Sequence, residues 1–188
     1  MRVYSPEFDY LYNITSFLKL QEVKRYTGTS ILTLVIAVSE DAAYYLQKNG
    51  WIVMDDGDPY IIKHIKQGLE EITVTAYGGH QLLKQRVTVP ATGQYAIERT
   101  GSADAVVKYF INQSKRGLPL VTAAVQGGVS ISDQSRLKNL GDEVERVLSG
   151  AGRGEKYTFD ADNKQIVFDT YLGVDRSVGN ADDKPPVV

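Results

Sequence analysis

The sequence predicts an α+β protein rich in β-strand, in which a β-barrel-like N-terminal module precedes a small α+β module. Residues 1–92 contain a series of short runs in which apolar and polar side chains alternate, separated by turn-forming residues. Residues 93–177 combine two stretches of apolar residues at helical spacing with several strand-like runs. We therefore expect two domains with these bounds. Residues 178–188 are expected to form a disordered tail, because they carry too few apolar residues to bury.

Short strands account for most of the first module. The turn formers Thr27–Ser30 and Asp55–Pro59 separate neighbouring runs, and the second of these favours a tight hairpin. So many short strands at short spacing are typical of a small barrel or sandwich. The predicted strands are Val3–Tyr4, Tyr10–Ile14, Leu18–Tyr26, Ile31–Val38, Trp51–Met54, Tyr60–Ile65 and Leu69–Tyr77.

One helix is predicted within the first module. Ser39 is a candidate N-cap, Glu40 and Asp41 suit the positive end of a helix, Lys48 suits its last turn, and Gly50 is placed to end it. Because this helix is short, we expect it to cover one end of the barrel.

The second module is predicted to pack two helices on a small sheet. The first helix begins at Ser102, and the second runs from about Asp133 to Ser149, with Leu137 on its apolar stripe and Gly150 just past its end. The predicted strands are Leu118–Val125, Tyr157–Phe159 and Ile166–Tyr171, the last two joined by the hairpin connection Asp160–Gln165.

Composition excludes several classes of function. The net charge is −2 and the isoelectric point is about 5.7, so nothing favours binding to nucleic acid, and the basic pairs Lys24-Arg25 and Lys115-Arg116 are read as solvated surface. Cysteine is absent, which excludes disulfides, thiol nucleophiles and thiolate metal sites. No apolar run approaches the ~20 residues of a membrane span, and the N-terminus lacks the apolar core of a signal peptide, so we expect synthesis in the cytoplasm.

Glycine-rich and acidic segments do not form a recognisable cofactor or metal site. Gly150–Gly154 has the wrong spacing for a dinucleotide loop and follows a helix instead of preceding one, so it is read as a helix stop. Asp160–Lys164 begins like a calcium loop, but Gln165 stands where glycine is required and Tyr171 where glutamate is required. The acidic turn Asp55–Asp58 is read as a tight reversal. We expect no cofactor and no metal.

Catalytic residues are not expected either. His64 and His80 lie outside any zinc-binding pattern, and no nucleophile elbow supports a catalytic triad. Asp142, Glu143 and Glu145 are read as the solvated face of the last helix. A carboxylate pair for glycoside cleavage stays open, because the separation of acids in space is not visible in a sequence. Tyr44-Tyr45 and Trp51 are candidates for a glycan-binding surface, although some of these rings should be core.

Five segments of the chain carry a resemblance to a known family, and the last of them closes the predicted hairpin. They are Met1-Arg-Val-Tyr-Ser-Pro-Glu-Phe8, Leu20–Tyr26, Val74–Val87, Gly101–Asn112 and Gly173-Val-Asp-Arg-Ser177. In this order along the chain, they resemble a family of tail-tip proteins from siphophages and prophages of Gram-positive bacteria. Members of that family continue with further strands beyond the last motif, whereas the present chain ends in a polar, proline-containing segment.

This resemblance implies a structural role. Proteins of the family are baseplate-hub components built from β-barrel-like and α+β modules, and they assemble as homo-oligomers, a trimer being the form in the assembled tail. It also implies contacts with the distal tail protein and tail tube, location in the virion tail, and no enzymatic activity. The alternatives that stay open are a tail-associated cell-wall hydrolase and a module that binds host glycans.

Overall fold

The computed structural model describes residues 1–173, and it confirms the α+β, β-rich class. Seven antiparallel strands in the first half form one sheet in the spatial order β2-β1-β5-β6-β7-β4-β3. Helix α1 follows β4, and helix α2 follows β7. The elements are β1 (Arg2–Tyr4), β2 (Tyr10–Asn13), β3 (Lys19–Val23), β4 (Ile31–Ala37), α1 (Ala42–Tyr45), β5 (Trp51–Val53), β6 (Pro59–Gln67), β7 (Glu71–Gly78) and α2 (His80–Leu83).

Strict alternation of buried side chains along β4 and β7 fixes which of their residues face the core of the first half. Leu32, Leu34 and Ile36 of β4 are fully buried, and they lie opposite Ala76, Val74 and Ile72 of β7. Successive side chains of a strand point to opposite faces, so a shift of one residue would expose the whole apolar set. The sequence pattern therefore determines both the strands and their register.

The sheet is open, not a closed barrel. Within residues 1–173, strands β2 and β3 each pair on one side only, with β1 and β4 respectively, and they form the two edges of the sheet. The β-barrel-like expectation is thus right about strand content and wrong about closure.

Helix α1 is shorter than predicted. It covers Ala42–Tyr45 only, and neither Ser39 nor Asp41 caps it with a side-chain hydrogen bond. Leu46 leaves the helix in an extended conformation, with ψ of 117°, and its side chain joins the core of the sheet. Burial of Leu46 outweighs continuation of the helix, because a single helical turn is a weak structure by itself.

The second half contains two helices and two small sheets. Strands β10 and β8 form an antiparallel pair, while β11, β12 and β9 form a sheet in which β12 and β9 are parallel. The hairpin of β11 and β12 confirms the predicted strand-turn-strand. The elements are β8 (Ile97–Ser102), α3 (Ala103–Ser114), β9 (Leu120–Thr122), β10 (Ser130–Ser135), α4 (Leu140–Gly150), β11 (Arg153–Asp160) and β12 (Gln165–Leu172).

The two helix starts test the capping rules. Ser102 caps α3 as predicted, since its Oγ accepts a hydrogen bond from the Ala105 amide at 3.2 Å. The predicted start of α4 near Asp133 is wrong, because that residue lies in β10 and the helix begins after Asn139, whose side chain accepts bonds from two backbone amides. Leu137 is exposed and has a φ of 51°, so it is a turn residue.

Two hydrophobic cores occupy the two faces of the large sheet. One lies within the first half and contains Leu34 and Val74. The other joins both halves, since Trp51 of β5 belongs to the same cluster as Phe110 of α3 and Phe168 of β12. The division near residue 93 stays a prediction, and the predicted tail at 178–188 lies outside the described residues. Among those residues, no helix is long and apolar enough to cross a membrane.

Candidate functional site

A buried polar cluster lies where the two halves meet. The Glu155 carboxylate on β11 accepts hydrogen bonds from three groups: the Gly28 amide at 2.5 Å, His80 Nδ1 at 2.8 Å from Oε1, and the Tyr157 hydroxyl at 2.9 Å from Oε2. The side chains of Glu155 and His80 are 2% and 0% exposed. We call these three side chains, with the Gly28 amide, the junction cluster.

The local sequence explains how the junction cluster is assembled. Alternation along β11 directs Glu155 and Tyr157 to the same face of the strand. His80 begins α2 directly after Gly78 and Gly79, and a Cβ on Gly79 would lie 2.3 Å from Tyr157 Cγ. Glycine is therefore needed for the backbone before His80 to pass over the Tyr157 ring.

The junction cluster is a set of buried hydrogen bonds that links the two halves of the protein, and we refer to this link as the clasp. Burial, together with the Glu155 carboxylate, raises the pKa of Tyr157 well above its ordinary value, so the phenol stays a hydrogen-bond donor at neutral pH. Nε2 of His80 makes no hydrogen bond among the described residues and faces Gly141, where a Cβ would lie 2.9 Å from it. The carboxylate oxygens are occupied by protein donors, which suits holding the two halves together.

A cavity of about 270 Å³ lies beside the junction cluster. Its wall includes Lys24 and Asp58, and the Lys24 ammonium bonds Asp58 at 2.7 Å and also contacts Asp56. Burial alone would lower the pKa of Lys24, but the hydrogen bonds to these two acids raise it above its usual value. One lysine therefore offsets part of the negative charge of the acidic turn.

A second buried polar network holds the irregular segment after β9. Lys108 on α3 donates to Asp104 at 2.8 Å, to Asp169 at 2.7 Å and to the Ala124 carbonyl at 2.7 Å. Gln126 donates to Asp169 and to the Thr170 carbonyl. Sequence reasoning missed this network. The available signal was Asp104 and Lys108, an i,i+4 pair of opposite charge on an otherwise apolar helix face.

The other candidates from the sequence lie at separate places in the fold. His64 is exposed and lies edge-on to Tyr77, with 6.2 Å between ring centroids. Asp160 caps the β11–β12 turn through the Asn163 amide, and burial of Trp51 places it in the core. Within residues 1–173, no group of three or more acidic or histidine residues is arranged to hold a metal ion.

The acids of α4 do not form one solvated face. Glu143 is buried and bonds Arg146 at 3.1 Å, whereas Asp142 is exposed and Glu145 is half-buried. The expectation is therefore wrong for Glu143. Among the candidate glycan-binding rings, Tyr44 is 87% exposed, while Tyr45 stacks on Tyr12 at 5.1 Å.

Exposed apolar side chains accompany both edges of the large sheet. Phe17 and Leu18, directly before β3, are 46% and 64% exposed, and Val23 at its end is 44% exposed. Near the other edge, Tyr10 of β2 is 58% exposed. An edge strand presents unpaired backbone groups, and apolar exposure beside it is typical of a surface that adds another strand or subunit.

The solved structure of one prophage protein shares this fold. The chain is 11% identical to prophage tail protein gp18 from Listeria monocytogenes EGD-e, with a TM-score of 0.58 over 89% of this chain and 49% of gp18. It is 10% identical to the 43 kDa tail protein of prophage MuSo2 from Shewanella oneidensis, with a TM-score of 0.41 over 89% of this chain and 48% of that one. The chain spans about half the length of both. No curated protein matches it.

The sequence profile of one family matches the whole chain, residues 1–188, and that family is described as Siphovirus ReqiPepy6 Gp37-like protein. The match includes the segments on which the siphophage resemblance was based, and it confirms that resemblance. The likeness to gp18 shows in addition that the fold is one found in a prophage protein. The chain therefore belongs to the family of siphovirus ReqiPepy6 Gp37-like proteins.

Proposed function

We propose that this chain is a structural component of the phage tail, located in the baseplate hub at the tail tip, and that it acts by assembly with other proteins and not as an enzyme. The observation that carries the proposal is the match of the entire chain to a siphovirus family. The fold shared with gp18, a protein described as a prophage tail protein, supports the assignment to the tail.

The open sheet supplies a physical route to assembly. Strands β3 and β2 lie at opposite edges, with Leu18 beside the first and Tyr10 on the second. Two different edges on one subunit allow each copy to join the next in a head-to-tail contact, and such contacts form a ring when the rotation closes. A homo-oligomer, with a trimer as the tail form, is therefore part of the proposal.

The same surfaces accommodate the partners that the proposal requires. The chain would be made in the host cytoplasm and incorporated into the virion tail, where it contacts the distal tail protein and the tail tube. The clasped junction between the halves suits this role, because a subunit under mechanical load needs its parts held by specific buried contacts.

The test uses a phage that encodes this chain. Mass spectrometry of purified virions is expected to detect it, and deletion of its coding sequence is expected to give particles whose tails are absent or lack a tip in negative-stain electron microscopy. Normal infectious virions without the protein would overturn the proposal.

A second assay addresses the enzymatic alternative. Zymography of the purified protein on host cell walls is expected to show no clearing, with lysozyme as the positive control. A clearing zone that migrates with the protein would replace the structural assignment with that of a cell-wall hydrolase.

A further inference from the structure

A β-bulge interrupts β6 at Lys63. The pairing with β7 runs from Ile62 opposite Ala76 to His64 opposite Thr75, so Lys63 is an extra residue on its strand. Bulges change the direction of a side chain and are frequent beside functional sites. Here the bulge brings the Lys63 ammonium within 2.9 Å of the Asn49 side-chain oxygen, in the turn that follows α1.

Lys63 lies in a groove that collects positive charge. The groove has a volume of about 650 Å³, and its cationic side chains are Arg25, Lys48, Lys63 and Lys84. Glu145 is the acidic residue in its wall. Burial lowers the pKa of Lys63, and the neighbouring positive charge of Lys48 lowers it further.

The cations of the groove have few anionic partners. Two cations outside the groove are paired with carboxylates: Lys108 bonds Asp104 and Asp169, and Arg146 bonds Asp133 and Glu143. In the groove, by contrast, Arg25, Lys48 and Lys63 form no salt bridge with any residue in 1–173, and Lys84 has only a 3.7 Å contact with exposed Asp142.

We propose that this groove binds an acidic peptide segment of a partner protein. The inference rests on the assembly role proposed above and names the chemistry of one contact. The cations would pair with aspartate or glutamate side chains, and bringing an anion to Lys48 and Lys63 would relieve their mutual repulsion.

The rest of the wall favours a peptide over a nucleic acid. Ile31 and Tyr77 also line the groove and provide apolar surface, which suits an acidic peptide with interspersed apolar residues. Glu145 would repel a closely spaced phosphate chain, whereas it can accept hydrogen bonds from peptide amides.

The experiment measures fluorescence anisotropy of a labelled nine-residue probe, Glu-Glu-Leu repeated three times, in a buffer of physiological ionic strength. The probe is expected to bind, and the variant Lys48→Glu/Lys63→Glu is expected to weaken binding by about tenfold or more. The matched control Lys66→Glu/Lys156→Glu makes the same change in net charge at two exposed strand positions outside the groove. It is expected to change affinity by less than about threefold.

Two further arms distinguish the outcomes. Arg25→Ala/Lys48→Ala removes only exposed side chains and serves if the first variant does not fold, as judged by circular dichroism. A probe with glutamine in place of glutamate is expected not to bind. Equal loss in groove and control variants, no binding of the acidic probe, or binding of polyphosphate in its place would overturn the proposal. Such a result leaves the tail assignment standing if the protein is found in virions.

Discussion

Glu155→Ala is expected to be among the most damaging single substitutions in the protein. The change removes the acceptor of three buried donors: the Gly28 amide, His80 Nδ1 and the Tyr157 hydroxyl. A buried donor left without a partner costs about 1–3 kcal/mol, and three such donors would be left here. Because these groups share one carboxylate, we expect a total loss of about 3–5 kcal/mol in the free energy of unfolding.

Urea denaturation followed by circular dichroism at fixed protein concentration measures this loss. A change of that size corresponds to a fall in the melting temperature of roughly 10 °C for a chain of this length. Glu98→Ala, at an exposed position of β8, is the control and is expected to change stability by no more than about 0.5 kcal/mol. A loss below about 1 kcal/mol for Glu155→Ala would refute the clasp.

Three further substitutions test neighbouring parts of the fold. Gly79→Ala places a Cβ 2.3 Å from Tyr157 Cγ and is expected to cost about 1–3 kcal/mol in urea denaturation, whereas Gly127→Ala, with nothing within 4 Å, should not destabilise. Lys108→Met leaves the Asp104 carboxylate buried without its cation, and a loss of about 3–5 kcal/mol is expected, part of which should be recovered when Asp104→Asn is added. Tyr157→Phe should remove part of the alkaline loss of stability: the folded-state pKa of Tyr157 is raised above its unfolded value of about 10, so its contribution is complete below pH 10 and declines as the pH rises beyond it. Identical alkaline profiles for wild type and variant would contradict this assignment.

The sequence predicts correctly those elements that are determined by residues close together in the chain, such as the closing hairpin and the start of α3. The closing hairpin follows from alternation on both sides of Asp160, which bonds the Asn163 amide as a turn residue should. The start of α3 follows from Ser102. In each case the residues that determine the structure are neighbours in the chain, so a reading of the sequence contains the necessary information.

The elements that sequence reasoning missed depend on contacts far apart in the chain. Strands β8 and β10 are largely polar, and the pairing that defines them joins residues about thirty positions apart, such as Gly101 and Ile131. Strands made mostly of polar residues show little alternation of apolar and polar side chains, so the spacing of apolar residues does not reveal them. The same limit applies to Leu137: its spacing from the apolar residues that follow it predicts a helix, but the helix begins only after Asn139.

The candidate sites also divide into features set by neighbouring residues and features set by distant contacts. The sequence around Asp56 indicates that the acidic turn lacks the features of a metal site. It does not indicate that the turn pairs with Lys24, thirty-two residues earlier. The junction cluster was equally hidden, because Gly28, His80 and Glu155 are brought together only by the packing of the two sheets. The sequence shows only that His80 lies outside any zinc-binding pattern, and the fold places its Nδ1 against the Glu155 carboxylate.

The junction cluster also fixes the edge that the proposed assembly uses. The segment that follows β3 contains Tyr26 and Gly28 and is bound from the other half: the Glu155 amide donates to the Tyr26 carbonyl at 2.9 Å, and the Gly28 amide donates to the Glu155 carboxylate. Loss of the Glu155 side chain removes the second of these bonds and should therefore loosen the segment after β3 as well as destabilise the fold. At a temperature where Glu155→Ala is still folded, we expect its incorporation into virions to fall more than that of Lys108→Met, for which a similar loss of stability of about 3–5 kcal/mol is expected. Equal incorporation of the two variants would contradict a role of the Glu155 side chain in assembly. It would show that incorporation depends on the free energy of unfolding and not on the position of the edge strand.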